Sequence, residues 1–297
     1  MMTSLRKWGL VLAGIAMLIS TTGLLVKGLN FGIEFTGGVV TEFTTTTSLQ
    51  QPQVLSQLAA HIPGEFRLNG SQDGQSWTLR QSDETSIEAQ RNVLSDIASQ
   101  QHWPLQLEES IFMGSQIGNE LIEKGGMALL VAALCMMAYV TLRFEWRLAT
   151  AAIVALLHDV LWVLGCFAWF QIKFDLAVLA GLLAIMGYSL NDSIIVGDRI
   201  RELMQSERYS DLNTLVNAAI RSTFRRTLIT STTTLITILA VGLMAGEVLG
   251  EFALSLAIGI VVGTYSSIVV TGTLPITLGL PIWVYRREAD DITEEYS

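Results

Sequence analysis

Charge is what this 297-residue sequence has least of: Asp, Glu, Lys and Arg make up 15% of it, where a soluble globular domain carries about 25%. That shortfall excludes an ordinary soluble enzyme. With 51% hydrophobic residues, the composition suits a chain whose solvent is mostly lipid. A basic excess is missing too. The 18 Lys and Arg against 27 Asp and Glu leave a formal net charge of −9, so nothing is available to neutralise phosphates and no nucleic-acid partner is expected. Cysteine is scarce, and Cys135 and Cys166 both fall in apolar runs, which leaves no disulfide framework or metal-ligand spacing. His61 and His102 have no Cys, Asp or Glu at ligand spacing. A phosphate loop of the P-loop type is absent, as is a defensible Ser–His–Asp order. The sequence thus predicts no metal, no cofactor and no enzyme; energy must come from a partner or from the membrane potential.

Long apolar runs are what the chain does have. A spanning helix needs about 20 such residues, and six candidates occur: 8–26, 125–142, 148–172, 176–197, 227–246 and 252–274. The first resembles a signal peptide at its start, but no small-residue cleavage site follows, so an uncleaved anchor is expected. The last run stays uncharged to Tyr285, and Pro275 and Pro281 place its helical end near Leu274. Basic residues set the orientation. With the N-terminus inside, Arg6, Lys7, Arg143, Arg147, Arg199, Arg201, Arg208, Arg221, Arg225, Arg226, Arg286 and Arg287 are all cytoplasmic, against Lys27, Lys124 and Lys173 near spans on the other side. The expected layout is residues 1–28 for the cytoplasmic N-terminus and helix 1, 29–123 outside, 124–284 for helices 2–6, and 285–297 as a cytoplasmic tail.

The outer segment reads β-α-β-β-α-β: strands at 38–47, 65–68, 76–81 and 105–112, helices at 52–61 and 83–100. This is the split βαβ order of ferredoxin-like folds.

Ionisable residues inside spans are expensive and usually functional. Asp192 lies in the fourth span, where an Asp at a helix centre costs about 2.5–3.5 kcal/mol. Held between burial and a nearby cation, it is a candidate for binding and releasing a proton; the alternative is an Asp hydrated near the cytoplasmic interface. Arg226 opens the fifth span, and Thr230, Thr233 and Thr237 follow at helical steps as one polar stripe. Such a lane supports a watery proton path, or its hydroxyls bond to their own helix and its neighbours. His158 and Asp159 sit near the middle of the third span, as relay members or as residues that orient adjacent spans. Gly259 and Gly263 form a GxxxG pair suited to close helix contact.

Four motifs in order carry a family resemblance: Phe31-Gly-Ile-Glu-Phe-Thr-Gly-Gly38; Arg143-Phe-Glu-Trp-Arg147 with His158-Asp159-Val160; Gly187-Tyr-Ser-Leu-Asn-Asp192 continuing to Asp198-Arg-Ile-Arg-Glu202; and Arg226-Thr-Leu-Ile-Thr-Ser-Thr-Thr-Thr234. Over nearly the whole chain they resemble the SecF family of the bacterial SecD–SecF protein-export complex. Two departures are Glu34, where the family more often has Asp, and Gly197, where a bulky residue is common. The resemblance implies a six-helix bundle of resistance-nodulation-division type with one ferredoxin-like periplasmic domain inserted between helices 1 and 2. It implies an inner-membrane protein with both termini cytoplasmic, paired with a SecD-like subunit and acting on preproteins at the SecYEG channel. Proton-motive force would aid late translocation through Asp192 and Arg226. Other readings are a subunit of a proton-driven small-solute or lipid exporter, and a passive translocon scaffold.

Overall fold

The computed structural model describes residues 2–62, 66–71, 74–81, 86–113, 115–206, 209–244 and 247–285. Arg208, Gly246, Arg286, Arg287 and the rest of the expected tail lie outside the described residues, as do Glu65 and Asp83, the expected first residues of a strand and a helix. The chain divides into two compact units, Met1–Asn30 with Ala128–Ser297, and Phe31–Met127.

The second unit begins with the short helix α2 (Ile33–Thr36). Strand β1 (Gly38–Thr45) follows, then α3 (Gln51–His61), β2 (Phe66–Gly70), β3 (Ser76–Gln81), α4 (Ile87–Gln101) and β4 (Leu105–Met113). The strands form one antiparallel sheet in the order β2-β3-β1-β4. Phe43 of β1 faces Trp77 of β3, and the two rings stack with centroids 6.5 Å apart. Around them Val54 and Leu58 of α3 and Leu94 and Ile97 of α4 close the core with Leu68 and Leu79. The two helices thus bury their apolar stripes on one face of the sheet, as the spacing of these residues predicts. Helix α2 is not foreshadowed by periodicity because four residues are too few to show any. The turn from α2 into β1 needs its glycines: Gly37 and Gly38 have φ of 81° and 147°, a region other residues enter only under strain.

The first unit contains α1 (Met2–Lys27), most of α5 (Ser115–Arg143), α6 (Trp146–Phe170), α7 (Leu176–Gln205), α8 (Leu212–Met244) and α9 (Glu247–Thr277). All six helices are long and apolar enough to cross a membrane. Their roles differ. Half or more of the most apolar stretch is buried in α6, α7 and α9, against 17% in α1, 11% in α8 and 6% in α5. The first three make the packed centre, and the others show broad apolar faces outward.

Three helices begin on an acidic side chain that caps free backbone N–H groups: Glu145 takes Arg147 N at the start of α6, Asp175 takes Val178 N at α7, and Asp211 takes Thr214 N at α8. The Thr214 hydroxyl and amide also hold the Asp211 carboxyl below the usual carboxylate range. Helices α7 and α8 extend well past the apolar runs that announce them. The reason is packing: Leu215, Val216, Ala219 and Ile220 of α8 enter one core with Ile200, Leu203 and Met204 of α7 and Leu148 of α6. Pro275 sits inside the last turn of α9 rather than ending it. The stop comes at Gly279, φ 72°, whose N–H reaches Ile276 O while Leu280 N–H reaches Pro275 O.

Candidate functional site

The centre of the first unit is the seam between α7 and α9, built on small residues. A Cβ at Gly259 would meet three carbons of Ile185 within 2.8 Å, and one at Gly181 would meet Ser255 Oγ at 2.3 Å. The close approach expected from the GxxxG pair is therefore real at Gly259. At Gly263 a Cβ would lie 3.3 Å from Asp159 Oδ2 and 3.4 Å from Ser189 Cβ.

On this seam α7 turns Ile185, Ser189, Asp192, Ser193 and Val196 inward, the three- and four-residue spacing of one helix face. Asp192 is 1% exposed, and neither carboxyl oxygen has a hydrogen-bond partner. A buried carboxyl without donors is stable only when a proton or a nearby cation neutralises it. The cation that acts on it is Arg226 of α8, through space and without a hydrogen bond. Arg226 itself is exposed.

The threonine stripe faces elsewhere. Thr230, Thr233 and Thr237 are exposed, and each hydroxyl donates to a carbonyl one turn back on α8: Arg226 O at 3.1 Å, Ile229 O at 3.0 Å and Thr233 O at 3.0 Å. The buried hydroxyls of α8 are Thr223, which bonds back to Ala219 O and Ile220 O, Thr227, with no partner, and Ser231. Ser231 Oγ lies 2.7 Å from Thr264 Oγ1 of α9 and accepts from Tyr188 Oη of α7 at 3.2 Å. Thr264 escapes sequence reasoning, because a single hydroxyl in an apolar helix carries no periodic signal; Tyr188 lies in the 187–192 motif, which gives it no role of its own.

His158 and Asp159 are both fully buried on α6. His158 Nδ1 is 2.8 Å from Asp159 Oδ1. Asp159 Oδ2 accepts from Ser189 Oγ of α7 at 2.5 Å and from Ser266 Oγ of α9 at 2.7 Å. Ser266 does not stand out in the sequence, and Ser189 lies in the 187–192 motif without a role of its own there.

Charge gathers at the ends of α5, α6 and α7. Arg143 pairs with Asp198 at 2.6 Å, Arg147 with Glu145 at 2.6 Å, and Arg199 with Glu202 at 2.6 Å. Phe144 is buried with the Arg143 guanidinium 5.3 Å over its ring, and that ring occupies the space a side chain at Gly197 would need, with Cζ 3.2 Å from an added Cβ. Glycine at 197 and phenylalanine at 144 are thus a matched pair. In the second unit, Glu34 of α2 pairs with Arg80 of β3 at 2.7 Å.

Known proteins resemble this chain in sequence and fold. The family described as protein export membrane protein SecD/SecF, C-terminal, matches residues 94–280, and the SecD/SecF GG motif matches residues 22–48. The protein translocase subunit SecF of Vibrio alginolyticus is 39% identical over 260 residues, covering 86% of this chain and 82% of that one. The SecF of Pseudomonas aeruginosa is 34% identical over 198 residues, 67% of this chain and 65% of its own. The crystal structure of SecDF, a translocon-associated membrane protein from Thermus thermophilus, matches 93% of this chain with a TM-score of 0.77 at 32% identity. SecDF in its super-membrane-facing form matches 98% with a TM-score of 0.71 at 33% identity. This chain spans 38% and 39% of those two solved chains. It is a multi-pass membrane protein and belongs to the SecF family of protein-export membrane proteins.

Proposed function

We propose that this chain is an accessory subunit of the Sec translocase that couples the proton-motive force to late steps of preprotein export through SecYEG. The observation that carries the reading is Asp192: a buried carboxyl with no hydrogen-bond donor, in the middle of a six-helix bundle, with Arg226 on the next helix as its counter-charge. Protonation removes the attraction between α7 and α8 and lets their packing change; release to the cytoplasm restores it. A potential of 100 mV supplies about 2.3 kcal/mol per charge carried across the full membrane. That is enough to bias an element whose minor state lies a few kcal/mol higher.

The partner is a SecD-like subunit that forms a pseudo-symmetric pair with this chain. In support, the chain accounts for less than half of the SecDF chains it resembles. The outward-facing row of Thr230, Thr233 and Thr237 then gains its second wall from that partner, so the proton path runs between the two proteins. The strand order β2-β3-β1-β4 supports a ferredoxin-like insert, which lies in the periplasm because the basic residues hold both termini in the cytoplasm. The chain performs no chemical catalysis; its action is mechanical, on an inner membrane.

The test is proton flux in vesicles carrying the complex, with and without a preprotein arrested in the channel. Flux that rises with the arrested preprotein and vanishes without Asp192 supports the proposal. Flux that ignores both contradicts it.

A further inference from the structure

The two buried aspartates of the bundle have opposite surroundings. Asp192 has no hydrogen-bond partner, whereas Asp159 has three on its two oxygens: His158 Nδ1, Ser189 Oγ and Ser266 Oγ. Those partners come from three helices, α6, α7 and α9. Two of them, from α7 and α9, meet on the single atom Oδ2, at the point where Gly263 lets the helices approach. Both bonds cannot be kept if α7 slides or rotates against α9.

Ser189 lies one helical turn before Asp192 on the same face of α7. One residue after Asp192, Ser193 accepts a hydrogen bond from Thr271 of α9 at 3.1 Å. Asp192 is therefore bracketed along α7 by two links to α9, the first through Asp159 and the second direct. Among the described residues no direct hydrogen bond joins Asp159, His158, Ser189 or Ser266 to the carboxyl of Asp192. The titratable groups beside Asp159 are His158 on its own helix and Tyr265 on α9, whose ring lies 6.3 Å from that of His158; Asp192 follows one helical turn after Ser189 on α7. Tyr265 Oη in turn donates to Gly9 O of α1 at 2.7 Å, which ties a fourth helix to the same point.

We propose that Asp159 is a positioning residue for Asp192: a clasp that gathers Ser189 and Ser266 on one oxygen, sets the rotation and depth of α7, and carries no proton on the path itself. This rests on the reading of Asp192 as the proton-binding group, but its test does not depend on export. Dicyclohexylcarbodiimide adds to a protonated carboxyl in an apolar setting and leaves an N-acylurea that peptide mass spectrometry locates. The full chain, with its partner in lipid nanodiscs at one fixed pH, is labelled over time. Asp192 takes up label and Asp159 does not. Ser189→Ala and Ser266→Ala each change the rate at Asp192 by about threefold, the factor equivalent to the roughly 0.6 kcal/mol of an average interhelical hydrogen bond. Val163→Ala, a cavity in α6 one turn from Asp159, lowers thermal stability and leaves that rate unchanged. Label on Asp159 as fast as on Asp192 overturns the proposal. So does a rate at Asp192 that neither serine variant alters, whatever Asp192→Asn does to export.

Discussion

Asp192 is legible in the sequence because a carboxyl inside an apolar run has no cheap explanation. Arg226 is legible for the same reason at the head of the next run. The meeting of Ser189 and Ser266 on Asp159 is not, since Ser is common in membrane helices and only the packing of α6, α7 and α9 brings the two to one oxygen. The threonine stripe shows a subtler limit. Its i+3 and i+4 spacing is visible, but in a helix apolar nearly all round nothing in the sequence says which way the stripe points. It points outward, and Thr223, Thr227 and Ser231 take the inward positions. From this follows a prediction for Thr233. Its exposed hydroxyl bonds only to its own helix, so Thr233→Val should change the stability of the purified chain by less than about 0.5 kcal/mol, while lowering export if the stripe lines a shared path. A loss of several degrees in melting temperature would place the hydroxyl inside the bundle instead.

At the scale of elements, all six spans and, apart from α2, the order of strands and helices in the Phe31–Met127 unit can be read from hydropathy, alternation and turn residues. Helix lengths cannot. A hydropathy window stops at Asp198 or Arg226, but a helix stops where its backbone bonds and packing stop, which is why α7 and α8 run on through charged residues. Pro275 is tolerated because it falls in a final turn whose end is fixed by Gly279. Glycines separate the two kinds of helix face. Gly259→Ala drives a methyl into Ile185 and should destabilise the bundle by about 1–3 kcal/mol, the range for an overpacked core. Gly14→Ala on α1 meets nothing within 4 Å and should be neutral or stabilising by up to about 1 kcal/mol through helix propensity. Chemical unfolding in mixed micelles measures both. Equal effects would mean that the α7–α9 seam is looser than the structure places it.

At the scale of the whole molecule, the asymmetry of basic residues predicts that the Phe31–Met127 unit faces the periplasm. In a variant whose only cysteine is at Ser71, in the loop after β2, an impermeant thiol reagent should label intact spheroplasts fully. Protection until the membrane is opened would reverse the orientation. The central claim, that Asp192 couples proton movement to export, is tested most directly by one substitution. Asp192→Asn keeps the size of the side chain and removes its ability to ionise. It should assemble with the partner at normal levels, and export stimulated by the membrane potential should fall to that of membranes lacking the complex. Normal potential-dependent export by Asp192→Asn would contradict the account.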